Sequence, residues 1–205
     1  YSHLSCWLIS APDDTRQDLL RYHRLYSEVI PRGVAPAMFG TARYRAPDPF
    51  TLCVSTLHPH KGIDSLLGAF VKFRAECPAY NLVLVGMRGF AATAVEERIR
   101  ALQLSACVRL TGWIPREELY DLYRRAWAFV YPSQFEGFGM PVTEAMAAGV
   151  PLACSDIEPL RSIAQDAALL FTPGDEGSIT QALHRITSDE RLRNRLVEVG
   201  RVRSA

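Results

Sequence analysis

Two glutamates carry the clearest chemistry in this chain. Glu136 and Glu144 have seven residues between them, and the stretch after the first reads Gly137-Phe138-Gly139-Met140-Pro141. Pro141 suits the first turn of a helix, where its missing N–H costs nothing, and Gly149 suits its C-terminal stop. The N–H groups of Phe138, Gly139 and Met140 would then point out of the helix N-terminus, where the dipole favours an anion. Gly137 and Gly139 would let backbone approach a ligand closely. A carboxylate beside a phosphate repels it, so Glu136 and Glu144 are expected to accept hydrogen bonds from hydroxyls. A sugar nucleotide offers both partners: diphosphate for the amides, and ribose and sugar hydroxyls for the carboxylates. The spacing by itself also fits a plain strand-to-helix turn with helix-start acids, so the surrounding residues must decide.

The elements that would position this turn are legible from periodicity. Residues 127–131 form a short apolar run closed by Pro132, which reads as a buried strand. From Phe50 onward strands and helices alternate. Strands are expected at 50–57, 81–86, 108–112, 127–131, 151–154 and 168–171. Helices are expected at 63–76, 94–102, 116–126, 141–148, 177–187 and 190–200. In the first helix Ile63, Leu66, Leu67, Phe70 and Val71 share one face. Repeated βα units predict an α/β fold, a Rossmann-like doubly wound parallel sheet covered on both faces. Ligands on such sheets bind at the carboxyl ends of strands, near the switch in strand order. Ahead of Phe50 the pattern gives a strand at 4–9, a helix from Pro12 to about His23, a strand at 26–30, and an irregular linker-like run from Pro31 to Pro49.

Composition bounds the partners. The 205 residues are 48% apolar and 22% charged, with a net charge of +1, which gives no case for nucleic acid. No apolar run approaches the roughly 20 residues of a membrane span. The five cysteines (Cys6, Cys53, Cys77, Cys107, Cys154) are odd in number and lack metal-type spacing, which fits a reducing cytoplasm. Asp13-Asp14 reads as a helix cap rather than a metal pair, and no metal site is expected. The chain starts at Tyr1 rather than Met, which reads as a trimmed protein or fragment. Arginines 191, 193, 195, 201 and 203 alternate with apolar residues near the C-terminus. The first reading is a terminal helix packed back on its domain, and a membrane-surface helix is the alternative.

The whole phrase from Tyr131-Pro132-Ser133 through EGFGMPVTEAMAAGVP (136–151) resembles the signature of retaining, nucleotide-sugar-dependent glycosyltransferases of the GT-B fold. It is similar to the large bacterial group related to glycogen synthase, and the resemblance runs from about Thr51 to Gly200. It implies two Rossmann-like domains facing a cleft, with the donor held mainly by the C-terminal one. On that pattern residues 1–32 are a remnant of the N-terminal acceptor domain, 33–49 the interdomain linker, and 50–205 the nucleotide-sugar donor-binding domain.

The implied reaction moves a sugar, mannose among the candidates, from a GDP-, UDP- or ADP-linked donor to an acceptor hydroxyl in bacterial polysaccharide or glycolipid synthesis. No cofactor or metal is implied. The acceptor, a glycan or a lipid-linked glycan, would be held by the N-terminal domain. The implied place is the cytoplasm, with peripheral contact at the inner face of the plasma membrane as an open alternative. Residue by residue, the resemblance gives Glu136 the sugar hydroxyls, Glu144 the ribose, and Gly137, Phe138, Gly139 and Met140 the diphosphate. Lys61 follows the first strand of the domain and would meet the diphosphate, so Glu136 and Lys61 are the catalytic pair. Relatives carry Gly-Arg or Gly-Thr where this chain has Ser55-Thr56, and His60 is the nearest replacement for a missing cation. Arg88, after Gly86-Met87, would meet phosphate or base. Ile114, in Gly112-Trp113-Ile114-Pro115, would flank the base. Rival readings are a non-catalytic nucleotide-binding module working with a partner chain, a GT-B epimerase, and a Rossmann dehydrogenase, the last lacking the G-x-G-x-x-G it needs.

Overall fold

A computed structural model describes residues 9–10, 20–22, 28–29, 43–44 and 46–204. Near the start, β1 (Ile9–Ser10) and β2 (Glu28–Val29) pair in parallel, and residues 20–22 are helical. The rest of the elements expected before residue 43 lie outside the described residues.

The remaining strands are β3 (Phe50–Val54), β4 (Asn81–Val85), β5 (Val108–Gly112), β6 (Ala128–Tyr131), β7 (Leu152–Ser155) and β8 (Ala168–Phe171). They form one parallel sheet in the order β5-β4-β3-β6-β7-β8. The helices are α1 (Ile63–Glu76), α2 (Ala92–Ala101), α3 (Arg116–Arg125), α4 (Met140–Ala147), α5 (Leu160–Ala164), α6 (Glu176–Ser188) and α7 (Glu190–Ser204). This is the expected Rossmann-like sheet.

The strands read as continuous apolar runs because both faces are covered. Alternate side chains go to opposite cores. Leu82 and Leu84 of β4, with Ala128 and Val130 of β6, join the core under α1, α2 and α6. Val83 and Val85, with Phe129 and Tyr131, join the core under α3, α4 and α5. Strand order reverses between β3 and β6, so the loops leaving their carboxyl ends diverge and open a crevice there.

Those two loops are tied together. The Gln134 amide donates to the His60 carbonyl at 2.7 Å, and the Ser133 hydroxyl reaches the same oxygen at 3.3 Å. Gly62 makes the approach feasible. It sits at φ 65, a left-handed conformation, and a Cβ there would run into the Pro132 carbonyl oxygen.

Several boundaries differ from the sequence reading. β3 stops at Val54 rather than residue 57, because the chain turns at Ser55 toward a short 3-10 turn, Pro59–Lys61. The 3-10 turn Gln165–Ala167 was not anticipated, since three residues carry no periodicity to detect; the one-turn α5 is marked at its start by Glu158, a helix-start acid whose carboxylate accepts from the Ser162 amide at 3.3 Å. α7 runs through Gly200 to Ser204, because Gly200 is a packing contact against Met146 and not a stop. Gly149 does end its helix, at φ 66.

α7 packs back on the domain. Arg193 is buried and donates to the Thr187 carbonyl at 2.6 Å, and Arg203 donates to the carbonyls of Ile163 and Ser162. The stretch read as linker is also engaged where described: Arg43 donates to the carbonyls of Gly149 and Ala126, and Ala46 is buried. Among the described residues no helix is long and apolar enough to cross a membrane.

Gly62→Ala should lower the unfolding free energy by about 1–3 kcal/mol, from the left-handed backbone and the clash with Pro132. Gly137→Ala, whose added Cβ meets open space, should cost less than about 0.5 kcal/mol. Urea melts of both variants check the difference.

Candidate functional site

The crevice at the switch point is a cavity of about 550 Å³. Its floor is the strand ends, Val54, Val85 and Tyr131. Its walls are Ser55, Thr56 and Lys61 after β3, Gly86 and Met87 after β4, Trp113 and Ile114 after β5, and Glu136 with Phe138, Gly139, Met140 and Pro141 after β6. A second hollow, about 440 Å³, lies at the opposite end of the strands against Phe50, Asn81 and Val108, away from these loops.

Lys61 and Glu136 meet across the crevice, with Nζ to Oε1 at 2.6 Å. Their side chains are only 16% and 9% exposed. The 3-10 turn Pro59–Lys61 aims the lysine, and its Gly62 cap donates back to the Pro59 carbonyl at 3.2 Å. The same Glu136 oxygen accepts the Tyr131 hydroxyl at 2.6 Å. Lys61 Nζ also sits 5.9 Å from the centre of the Tyr131 ring. Lys61 is the one cationic side chain lining the cavity among the described residues.

The helix start supplies the rest of the positive potential. Gly139, at φ 91, caps α4, and Leu160 occupies the place a Cβ would need. Among the described residues the amides of Phe138, Gly139 and Met140 have no hydrogen-bond partner. Three free N–H groups at a helix N-terminus, beside a lysine, form an arrangement that stabilises an anion.

Glu144 lies one turn into α4. Its Oε2 accepts the Tyr123 hydroxyl of α3 at 3.0 Å, and the Pro141 carbonyl lies 3.4 Å from that hydroxyl. Burial pushes the Glu144 carboxyl above its ordinary value, against the opposing pull of the Tyr123 hydroxyl and the Arg116 charge. Burial likewise raises Tyr123 and Tyr131, and the carboxylate each one faces raises it further. Both phenols therefore stay protonated and remain donors at any working pH.

The structure brings together Lys61, Thr56, Ile114, Glu136, Phe138, Gly139 and Met140. Gly137 sits in the same loop with open space over its Cα. His60, Arg88 and Glu144 are not among the residues lining the cavity. The His60 ring packs between His58, at 5.7 Å, and Phe135, at 6.5 Å. The Arg88 guanidinium is held by Glu96, one turn into α2. The buried thiols Cys53 and Cys154 are both pushed up to about 12 by desolvation, as inert core cysteines should be. Among the described residues no group of three or more His, Cys, Asp or Glu is placed to hold a metal ion.

The sequence profile described as glycosyl transferases group 1 matches residues 41–203. The chain belongs to that family. It is 34% identical over 166 residues to O-antigen chain mannosyltransferase B of Escherichia coli, covering 80% of this chain and 44% of that protein. In structure it matches sucrose-phosphate synthase from Thermosynechococcus elongatus with a TM-score of 0.83 and 26% identity, over 96% of this chain and 52% of the synthase. A C-terminal domain of a glycosyl transferase group 1 family protein from Francisella tularensis shares the fold at a TM-score of 0.71 and 21% identity. That match covers 83% of this chain and 96% of the domain. This group 1 chain thus spans about half the length of the first two relatives.

Sequence reasoning missed the two tyrosines that hold the carboxylates. Tyr131 ends a strand and Tyr123 sits in a helix, and no spacing links either to its glutamate. Tyr131 meets Glu136 within one strand-to-loop segment, and the packing of α3 against α4 brings Tyr123 to Glu144.

The raised Glu144 carboxyl has a consequence for stability. Its contribution is fully present below the ordinary carboxyl value of 4.5 and is lost as pH rises through the folded value. At pH 7 the ionised, buried Glu144 therefore costs stability. Glu144→Gln should gain in melting temperature over the parent as pH goes from about 4 to about 7. A difference that does not change with pH would show that burial does not penalise this carboxyl.

Proposed function

We propose that this chain is the donor-binding half of a retaining glycosyltransferase. The enzyme moves a sugar from a nucleoside-diphosphate sugar to an acceptor hydroxyl in bacterial polysaccharide or glycolipid synthesis. The observation that carries this reading is the Lys61–Glu136 pair at the switch point, beside the free amides at the start of α4. Family membership and the name of the E. coli mannosyltransferase support it, and that name favours mannose as the sugar.

As the bond from sugar to diphosphate breaks, charge collects on the diphosphate and the sugar becomes oxocarbenium-like. Lys61 and the amides of Phe138, Gly139 and Met140 stabilise that charge where it develops. This reading therefore asks for no metal. The Thr56 hydroxyl adds a neutral donor. Glu136 accepts hydrogen bonds from the sugar hydroxyls, and Glu144 from the ribose. Ile114 and the exposed Trp113 give the base an apolar wall. His60 and Arg88 lie outside the cavity lining, His60 beside the His58 and Phe135 rings and Arg88 paired with Glu96, and this reading assigns them no contact with the donor. The acceptor is assigned to the remainder of a full-length enzyme, which is cytoplasmic. Any contact with an anionic membrane would fall to the exposed Arg191, Arg195 and Arg201 of α7, since Arg193 and Arg203 are engaged.

Calorimetric titration of GDP, UDP and ADP into the purified chain tests the reading. At least one should bind, and ligand at 100 times its dissociation constant should stabilise the fold by about 2.7 kcal/mol. Lys61→Ala should weaken that binding by roughly tenfold or more, the worth of a charge-assisted hydrogen bond. Lys72→Ala, which removes a lysine paired with Glu176 on the surface, should leave it unchanged. Failure of all three nucleotides to bind would overturn the reading.

A further inference from the structure

Glu136, which lines the cavity, and Glu144, one turn into α4, are both held by phenol hydroxyls, and the two phenols belong to one aromatic stack. The Tyr123 and Phe129 rings lie 5.5 Å apart with 30° between their planes. Phe129 and Tyr131 lie 6.1 Å apart with 21° between theirs. All three rings are at most 2% exposed. One end of the stack donates to Glu144 and the other to Glu136.

We propose that Tyr131 and Tyr123 are positioning residues for the two donor-site carboxylates, and that the stack Tyr123–Phe129–Tyr131 fixes where those carboxylates stand. The assignment rests on the donor-site reading of Glu136 and Glu144 given above.

The argument is one of competing demands. Glu136 Oε1 accepts from Lys61 and from Tyr131, both at 2.6 Å. A donor diphosphate attracts the same Lys61, whose ammonium is a point charge on a flexible stem. To the extent that Lys61 turns to phosphate, Glu136 loses a partner. A poorly hydrated carboxylate without a donor would swing away. Tyr131 prevents this, because its ring is locked in a close-packed core and its hydroxyl donates to Glu136 at 2.6 Å. Tyr131 thus keeps Glu136 aimed for sugar hydroxyls. Tyr123 does the same for Glu144, a carboxylate that burial would otherwise drive toward its neutral form. A phenylalanine at either place keeps the stack and removes only the hydroxyl, so the role can be separated from packing.

The two hydroxyls act on different parts of the ligand, which gives the test. The probes are GDP, 2′-deoxy-GDP and GDP-mannose, with the matching uridine or adenosine set if that base binds better. Affinities are measured by calorimetry for the parent chain, Tyr131→Phe and Tyr123→Phe. Tyr131→Phe should shrink the ratio of sugar-nucleotide to diphosphate affinity by roughly three- to tenfold, with the ribo-to-deoxy ratio unchanged. Tyr123→Phe should shrink the ribo-to-deoxy ratio by a similar factor and leave the sugar ratio unchanged. Equal losses for all three probes, or no loss, would overturn the assignment and leave the tyrosines as core residues. A parent chain that binds no nucleotide overturns the donor-site reading itself. A parent that binds and discriminates, with both ratios unmoved in the variants, overturns only the role of the tyrosines. Thermal melts accompany each titration. If Tyr123→Phe melts too low to titrate, the Tyr131→Phe ratio decides by itself.

Discussion

One nearly buried ion pair, Lys61 with Glu136, spans this crevice, and much of the structure follows from that. Lys61 is bonded to Glu136, and a diphosphate in the same cavity would attract it as well. The pair is mostly withdrawn from water, so each charge depends on the other for compensation. Removing either one would strand its partner. That dependence welds the loop after β3 to the loop after β6, the two loops that the reversal of strand order would otherwise let diverge. The Gln134 amide on the His60 carbonyl and the close approach at Gly62 serve the same end. They hold the backbone at the separation the ion pair needs.

Around that pair the fold supplies fixed dipoles rather than further charges. Phe138, Gly139 and Met140 line the cavity at the start of α4 with amides that have no partner among the described residues, and Gly139 turns the chain in a left-handed conformation just ahead of Met140. The stack Tyr123–Phe129–Tyr131 donates one hydroxyl to each of the two carboxylates. Neutral groups surround Lys61, the one cationic side chain lining the cavity among the described residues. A preorganised polar site costs little reorganisation when charge develops in a reaction.

The sheet and its helices were legible because their signal is local. Apolar runs of four to five residues separated by helical periodicity define the strands, and Gly139, Pro141 and Gly149 mark where α4 starts and stops. The Glu136-to-Glu144 turn was legible for the same reason, since its parts are contiguous. What the sequence could not show depends on contacts between distant segments. His60 and Arg88 read as cations for the site, but a neighbouring ring and a neighbouring carboxylate on α2 claim them. The last helix was expected to end at Gly200, yet it runs on to Ser204, and Gly200 is a contact with Met146 across two helices. Tyr123 and Tyr131 gave no signal, because a tyrosine in an apolar run looks like core until its hydroxyl is seen to have a partner.

The most direct measurement is the affinity of a plain nucleoside diphosphate for Glu136→Gln, with and without Lys61. If Glu136 and the diphosphate compete for one ammonium, removing the carboxylate charge frees Lys61. Glu136→Gln should then bind the diphosphate roughly three- to tenfold more tightly, by about 0.7–1.4 kcal/mol. That gain should vanish in the Lys61→Met background. Weaker binding by Glu136→Gln, or the same gain without Lys61, would contradict the account.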